Sequence, residues 1–147
     1  AAELDEACQS RFADADVLVM AAAVADFRPK RVAEGKLKKD QGVPEVVLEP
    51  TPDTLAELGR RRRPDQVLVG FAAETGDHLT GARRKLEAKH LDLIVLNHVE
   101  GAHSAFGADD ADAYLVDADD VEELPRTSKA AIAARLLDRV EALLARR

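Results

Sequence analysis

Two rhythms of apolar and polar positions alternate along this chain. Residues 3–13 bring Leu4, Ala7, Cys8 and Phe12 near one face at helical spacing. An apolar run follows, and it predicts a strand over 16–23 that is buried on both faces. A long polar loop spans 26–44, and Val46, Val47 and Leu48 predict a brief strand after it. Pro52 and Asp53 open a helix that runs into Arg60–Arg63, where Pro64 blocks its continuation. Residues 66–72 read as a second buried strand, 77–90 as a helix and 91–96 as a third buried strand. Beyond a loop at 101–110, the segments 112–116 and 121–124 predict a hairpin. Ser128 is placed to cap a final helix built on Ile132, Leu136, Leu137, Val140 and Leu144. The order strand, helix, strand, helix, strand predicts an α/β fold, a parallel sheet with helices on both faces, with a C-terminal hairpin and helix added.

The chain has 147 residues, 46% of them hydrophobic but only 3% aromatic, so one domain with an aliphatic core is expected. No fixed repeat or low-complexity linker divides it. Its 21 basic and 28 acidic residues leave a net charge of -7, which argues against a general nucleic-acid binder. The apolar run around Val17–Val24 is too short to span a bilayer. A single cysteine, Cys8, forms no internal disulfide and fits a reducing cytoplasm.

In parallel α/β sheets the ligand crevice lies beyond the carboxyl ends of the strands. Three segments fall there. The first is Ala21-Ala22-Ala23-Val24-Ala25-Asp26, where small side chains leave the backbone open to a flat ligand and Asp26 offers a carboxylate. Tight packing of alanine, with Asp26 as a turn former, is the alternative. The second is the loop with Arg28, Lys30, Arg31, Lys36, Lys38 and Lys39 against the single acid Glu34, flexible at Gly35 and Gly42. Mobile lysines suit a polyphosphate; a solvated loop is the alternative. The third is Gly70-Phe71-Ala72-Ala73-Glu74-Thr75, where Phe71 can stack on a base and Glu74 can bind a hydroxyl or a metal. Lys85 and Lys89, one helical turn apart, face the same way, toward a phosphate or simply toward solvent.

Other features point elsewhere. The chain has neither Gly-x-x-x-x-Gly-Lys-Ser/Thr nor Gly-x-Gly-x-x-Gly. His78, His90, His98 and His103 lack zinc-ligand spacing. Neither Ser104, Ser128 nor Cys8 has a base that spacing would pair with it. Arg60–Arg63 is expected to be structural, and the acidic run 109–123 to be a solvated hairpin surface.

As a set these segments are specific. Ala22-Ala23-Val24-Ala25-Asp26-Phe27-Arg28-Pro29, Lys36-Leu37-Lys38-Lys39, Pro52-Asp53, Gly70-Phe71-Ala72-Ala73-Glu74-Thr75 and Leu91-Asp92-Leu93-Ile94-Val95-Leu96-Asn97 resemble phosphopantothenoylcysteine synthetase. The resemblance covers nearly the whole chain. It implies a Rossmann-like three-layer fold and a homodimer with active sites near the subunit interface. It also implies CTP-dependent ligation of 4'-phosphopantothenate to L-cysteine through an acyl-cytidylate, in coenzyme A synthesis. Magnesium or manganese is the expected cation, and fusion to a flavin-dependent decarboxylase the usual context. Residue by residue, it assigns CTP contacts to Met20, Ala21, Ala22, Asp26, Lys36, Pro52, Asp53, Thr54, Leu55, Phe71, Lys85 and Lys89. Lys36, Lys38 and Lys39 become a phosphate clamp in which Lys36 is catalytic.

The chain departs from that pattern in two places. Its first residue is Ala, and the family's glycine-rich first loop and following Asn-containing segment have no counterpart, so a first strand-helix unit is expected to be missing. Ala111 stands where the family usually carries Asn. The chain is therefore expected to supply the CTP site without completing ligation alone. A non-catalytic nucleotide-binding or regulatory module and an ATP-dependent relative are the alternatives.

Overall fold

The computed structural model describes residues 1–38, 42–74, 78–98 and 109–147, excepting the side chains of Glu74 and His98. Helix α1 (Ala2–Arg11) and a single 3-10 turn (Phe12–Asp14) lead into β1 (Val17–Met20). Next come β2 (Phe27–Pro29), β3 (Leu48–Pro50), α2 (Thr54–Arg61), β4 (Val67–Glu74) and α3 (His78–Ala88). The chain continues through β5 (Leu93–His98), β6 (Asp110–Val116), β7 (Val121–Ser128) and α4 (Lys129–Leu144). The main sheet has the order β1-β4-β5-β6-β7, and β2 and β3 form a separate antiparallel pair. Strands β1, β4 and β5 run parallel, Val17 opposite Val67 and Val69 opposite Leu93. The C-terminal hairpin, β6 and β7, extends the same sheet antiparallel.

Side-chain alternation along the strands splits the core into two layers. On one face Leu68, Ala72, Ile94 and Leu96 pack with Leu55 and Leu58 of α2 and with Ala82 and Leu86 of α3. On the other, Val67, Val69, Leu93, Val95, Ala113 and Leu115 pack against Ile132, Leu136 and Val140 of α4. Helices on both faces of a mainly parallel sheet are the arrangement expected from the sequence. Strands β4 and β5 read as continuous apolar runs because both of their faces are covered.

Several boundaries differ from expectation. The strand expected over 16–23 ends at Met20 and is not buried on both faces. It is an edge strand of the sheet, its side chains are only half buried, and Val19 is 38% exposed. An apolar run reads alike in a central and an edge strand, which is why the pattern misplaced it. The strand expected at 46–48 lies at 48–50, paired with 27–29 inside the stretch read as loop. Lys30 N donates to Val47 O at 2.9 Å, so the ladder extends one step past the strands.

The capping predictions hold. Ser128 Oγ accepts from Ala131 N at 3.2 Å at the start of α4, and Asp53 Oδ1 accepts from Ala56 N at 3.1 Å at the start of α2. The buried Gln66 and the half-buried Asp92 tie neighbouring elements together. Gln66 Nε2 donates to Phe12 O and Ala15 O at 2.6 and 2.7 Å, and its Oε1 accepts from Arg63 N at 2.8 Å. Asp92 pairs with Arg62 at 2.5 Å and with Arg147, and accepts from Leu68 N at 2.8 Å. Arg62 thus ends its helix in an ion pair, the structural role expected of the arginine cluster. The acidic hairpin, by contrast, is not simply solvated, since Asp117, Asp120 and Glu122 engage Arg139 of α4.

Candidate functional site

Where β1 ends, the backbone turns at once: Val24 N donates to Ala22 O at 3.1 Å. The small side chains of residues 21–23 and 25 leave this turn uncovered, and all four are exposed. Across from it, Thr51 closes the base of the β2–β3 arm. Its N donates to Asp26 O at 2.9 Å and its Oγ1 to Ala25 O at 2.5 Å. The turn, Thr51 and the start of α2 enclose an open cavity of about 260 Å³. Met20, Ala22, Asp26, Pro52, Asp53, Thr54, Leu55, Phe71, Lys85 and Lys89 all line it. Residues from four separate stretches of sequence thus converge as expected.

The charged lining is specific in its pairing. Lys89 Nζ lies 2.8 Å from Asp53 Oδ2. Partial burial pushes the Asp53 carboxyl up. The hydrogen bonds from Lys89 and Ala56 N, with the charges of Lys89 and Arg60, outweigh this and hold it below its ordinary value. Thr54 at the start of α2 is buried, its Oγ1 donating to Asp5 Oδ1 at 2.7 Å. That bond and one from Gln9 lower the Asp5 carboxyl from its ordinary value. Phe71 points from β4 with 38% of its surface exposed, available for stacking on a planar ring.

Some expected members stand apart. Ala21 does not line this cavity but a second, mainly apolar one of about 500 Å³, which shares Ala22, Ala23 and Phe71 with it. Asn97, Lys129 and Ala133 complete that second wall, and the buried Ala111 of β6 lies there too. Lys36 and Lys38 are exposed and line neither cavity; a shallow pocket on the arm has Leu37 and Lys38 on its rim. Lys39, Thr75, Asp77, His103 and Ser104 lie outside the described residues. Thr51 and Val24 also line the site, and a Thr before Pro-Asp carries no signal of its own that would have marked it in sequence.

Two carboxylates, Asp26 and Asp53, face the cavity, and the second is engaged by Lys89. No group of three or more His, Cys, Asp or Glu side chains able to hold a metal exists among the described residues. Nor, among the described residues, is any helix long and apolar enough to cross a membrane.

The mainly parallel sheet thus carries, at the carboxyl edge of its parallel strands, a cavity lined by a turn of small residues, an aromatic ring and two lysines. The chain belongs to the DNA/pantothenate metabolism flavoprotein C-terminal domain family, whose model matches residues 1–144. It is 43% identical over 144 residues to the coenzyme A biosynthesis bifunctional protein CoaBC of Bacillus subtilis strain 168, covering 97% of this chain and 35% of that protein. It is 37% identical over 145 residues to a cysteine/cysteine sulfinic acid decarboxylase from an unknown prokaryotic organism, covering 98% and 40%. The chain thus spans well under half of these relatives. The solved C-terminal domain of a CoaBC superposes with a TM-score of 0.80 at 31% identity, over 100% of this chain and 64% of that one. The fold is shared, at 20% identity and a TM-score of 0.65, with a Cab2 mutant solved with phosphopantothenate-cysteine, over 88% of this chain and 46% of that one.

Proposed function

We propose that this chain is the CTP-binding part of a phosphopantothenate–cysteine ligase acting in coenzyme A synthesis. One observation carries the reading. All but two of the twelve positions that the family resemblance assigns to CTP, Ala21 and Lys36, line a single cavity at the carboxyl edge of the parallel strands. In this reading the base stacks on Phe71 and the turn at Ala22–Val24 offers main-chain hydrogen-bonding groups to it. Lys85 and Lys89 meet the phosphates. The carboxylate of 4'-phosphopantothenate attacks the α-phosphorus of CTP, forming an acyl-cytidylate and releasing pyrophosphate. The amine of L-cysteine then displaces CMP to form the amide.

Developing negative charge on the leaving pyrophosphate is what the lysines stabilise, and holding both reactants lowers the entropic part of the barrier. Asp26 would be the residue to hold a magnesium or manganese ion, which would supply further positive charge to the phosphates. Lys36 and Lys38 form the clamp that completes the phosphate site, although in this chain they stand clear of the cavity. The exposed apolar side chains of the same arm, Phe27, Val32, Val43 and Val46–Leu48, support a homodimer formed through it. The setting is a cytoplasmic protein in which a flavin-dependent decarboxylase is fused to the ligase.

Calorimetric titration of the chain with CTP and with ATP tests the nucleotide. CTP binding with ATP at least tenfold weaker is expected; the reverse order would mean an ATP-using relative. Pyrophosphate release by the protein carrying this domain, dependent on 4'-phosphopantothenate, tests the reaction. Nucleotide binding without such release would leave a non-catalytic module instead.

A further inference from the structure

Asp53 and Lys89 stand in a relationship that contact with a nucleotide does not require. Lys89 Nζ lies 2.8 and 3.0 Å from the two Asp53 oxygens, so the ammonium is held by the whole carboxylate. That carboxylate is itself fixed, because Oδ1 accepts from Ala56 N at the start of α2. Lys89 is fixed at its other end, since its carbonyl packs directly over Gly59. Both partners are therefore anchored through their backbones, and the ion pair spans the gap between α2 and the end of α3.

A lysine held in this way is well placed but electrically offset. An incoming phosphate meets a carboxylate that already occupies the ammonium and repels the newcomer. We propose that Asp53 is a positioning residue rather than a nucleotide ligand. It parks Lys89 at the cavity wall, and a polyphosphate captures Lys89 by displacing the carboxylate. This refines the nucleotide reading and rests on it. The ligand class that opens the pair is a multiply charged oxyanion such as a diphosphate or triphosphate, whose several oxygens outcompete one carboxylate. An uncharged nucleoside leaves the pair closed.

Asp53→Asn is the discriminating variant, because Asn caps a helix as well as Asp does and keeps the start of α2 intact. The probe is inorganic pyrophosphate, titrated calorimetrically into the chain. Asp53 is half exposed and Lys89 about one-third exposed, so the pair has the modest strength of a surface bridge. Its removal is expected to tighten pyrophosphate binding about two- to fivefold while lowering the thermal midpoint by no more than about 4 °C. A merely structural Asp53 would give no gain in affinity, and an Asp53 that hydrogen-bonds the nucleotide would give a loss of CTP affinity. The structure of the pyrophosphate complex supplies the second measurement: Lys89 Nζ should lie on a phosphate oxygen, beyond about 4 Å from Asp53. Unchanged or weaker pyrophosphate binding by Asp53→Asn, or an intact pair in the complex, overturns the proposal while leaving the nucleotide site standing. Failure of the wild-type chain to bind either CTP or pyrophosphate overturns both.

Discussion

A β-carbon placed on Gly59 would lie 1.9 Å from the carbonyl oxygen of Lys89. Only glycine lets α2 and the end of α3 approach this closely, and the approach brings Lys89 within reach of Asp53. Gly59→Ala should therefore destabilise the fold by about 1–3 kcal/mol, although alanine favours a helix by roughly 1 kcal/mol. The colliding atom belongs to the main chain, so it cannot swing aside as a side chain would. Chemical denaturation measures the loss. A variant as stable as the parent would show that the two helices are free to separate.

Asp92 joins Arg62, Arg147 and the backbone of Leu68, and its side chain is only 9% exposed. Asp92→Ala removes these contacts together and takes from Arg62 its carboxylate partner, while Arg147 keeps its bonds to Pro64 O and Gln66 O. A loss of about 3 kcal/mol is expected, more than for removal of an exposed pair such as Arg28–Glu49. Comparing urea midpoints of Asp92→Ala and Glu49→Ala checks the ranking.

Asp117 at the hairpin tip should contribute to acid sensitivity. Burial pushes the Asp117 carboxyl up, but the N–H groups of Asp120 and Asp119 and the Arg139 guanidinium bring it below its ordinary value. A depressed folded-state pKa means that the unfolded chain binds the proton more readily. The stabilisation is complete above the ordinary carboxylate range and is lost as pH falls through the lower, folded value. Melting temperatures measured from pH 6 to pH 2.5 should fall below about pH 4. Asp117→Asn should lower the plateau and flatten that acid limb, whereas an unchanged slope would remove Asp117 from the account.

Lys36 is exposed on the arm, so its loss should cost function and not folding. Lys36→Gln is expected to reduce turnover of the protein carrying this domain by roughly 100-fold, the scale for losing one charge-stabilising group. Its thermal midpoint should stay within about 1 °C of the parent, as for most surface changes. Full activity in the variant would end the clamp assignment.

Legibility in the sequence followed burial. Strands β4 and β5, covered on both faces, and α4, with Ser128 at its start, stand where periodicity and capping put them. Met20, Asp26, Pro52–Leu55, Phe71, Lys85 and Lys89, which the family resemblance groups together, line one cavity. The misreadings lie where the chain is poorly covered. β1 sits at an edge, and its apolar run hid that position. The ribbon of β2 and β3 is too short and too exposed for alternation to show, so its pairing appears only in the backbone hydrogen bonds. The contact between Gly59 and Lys89, and the role of Thr51, depend on packing across the chain, which no local pattern encodes.

The stitches at the foot of the β2–β3 arm, Thr51 to Asp26 and to Ala25, bear on how this domain can vary in length. Because both strands of the arm are fastened where they leave the body, whatever lies between them is a closed loop whose size matters little to the sheet. Doubling such a loop costs only about 0.6 kcal/mol in closure entropy. The arm can therefore lengthen, shorten or exchange its tip while the cavity floor keeps its shape, leaving the reach of its lysines adjustable apart from the scaffold around the cavity.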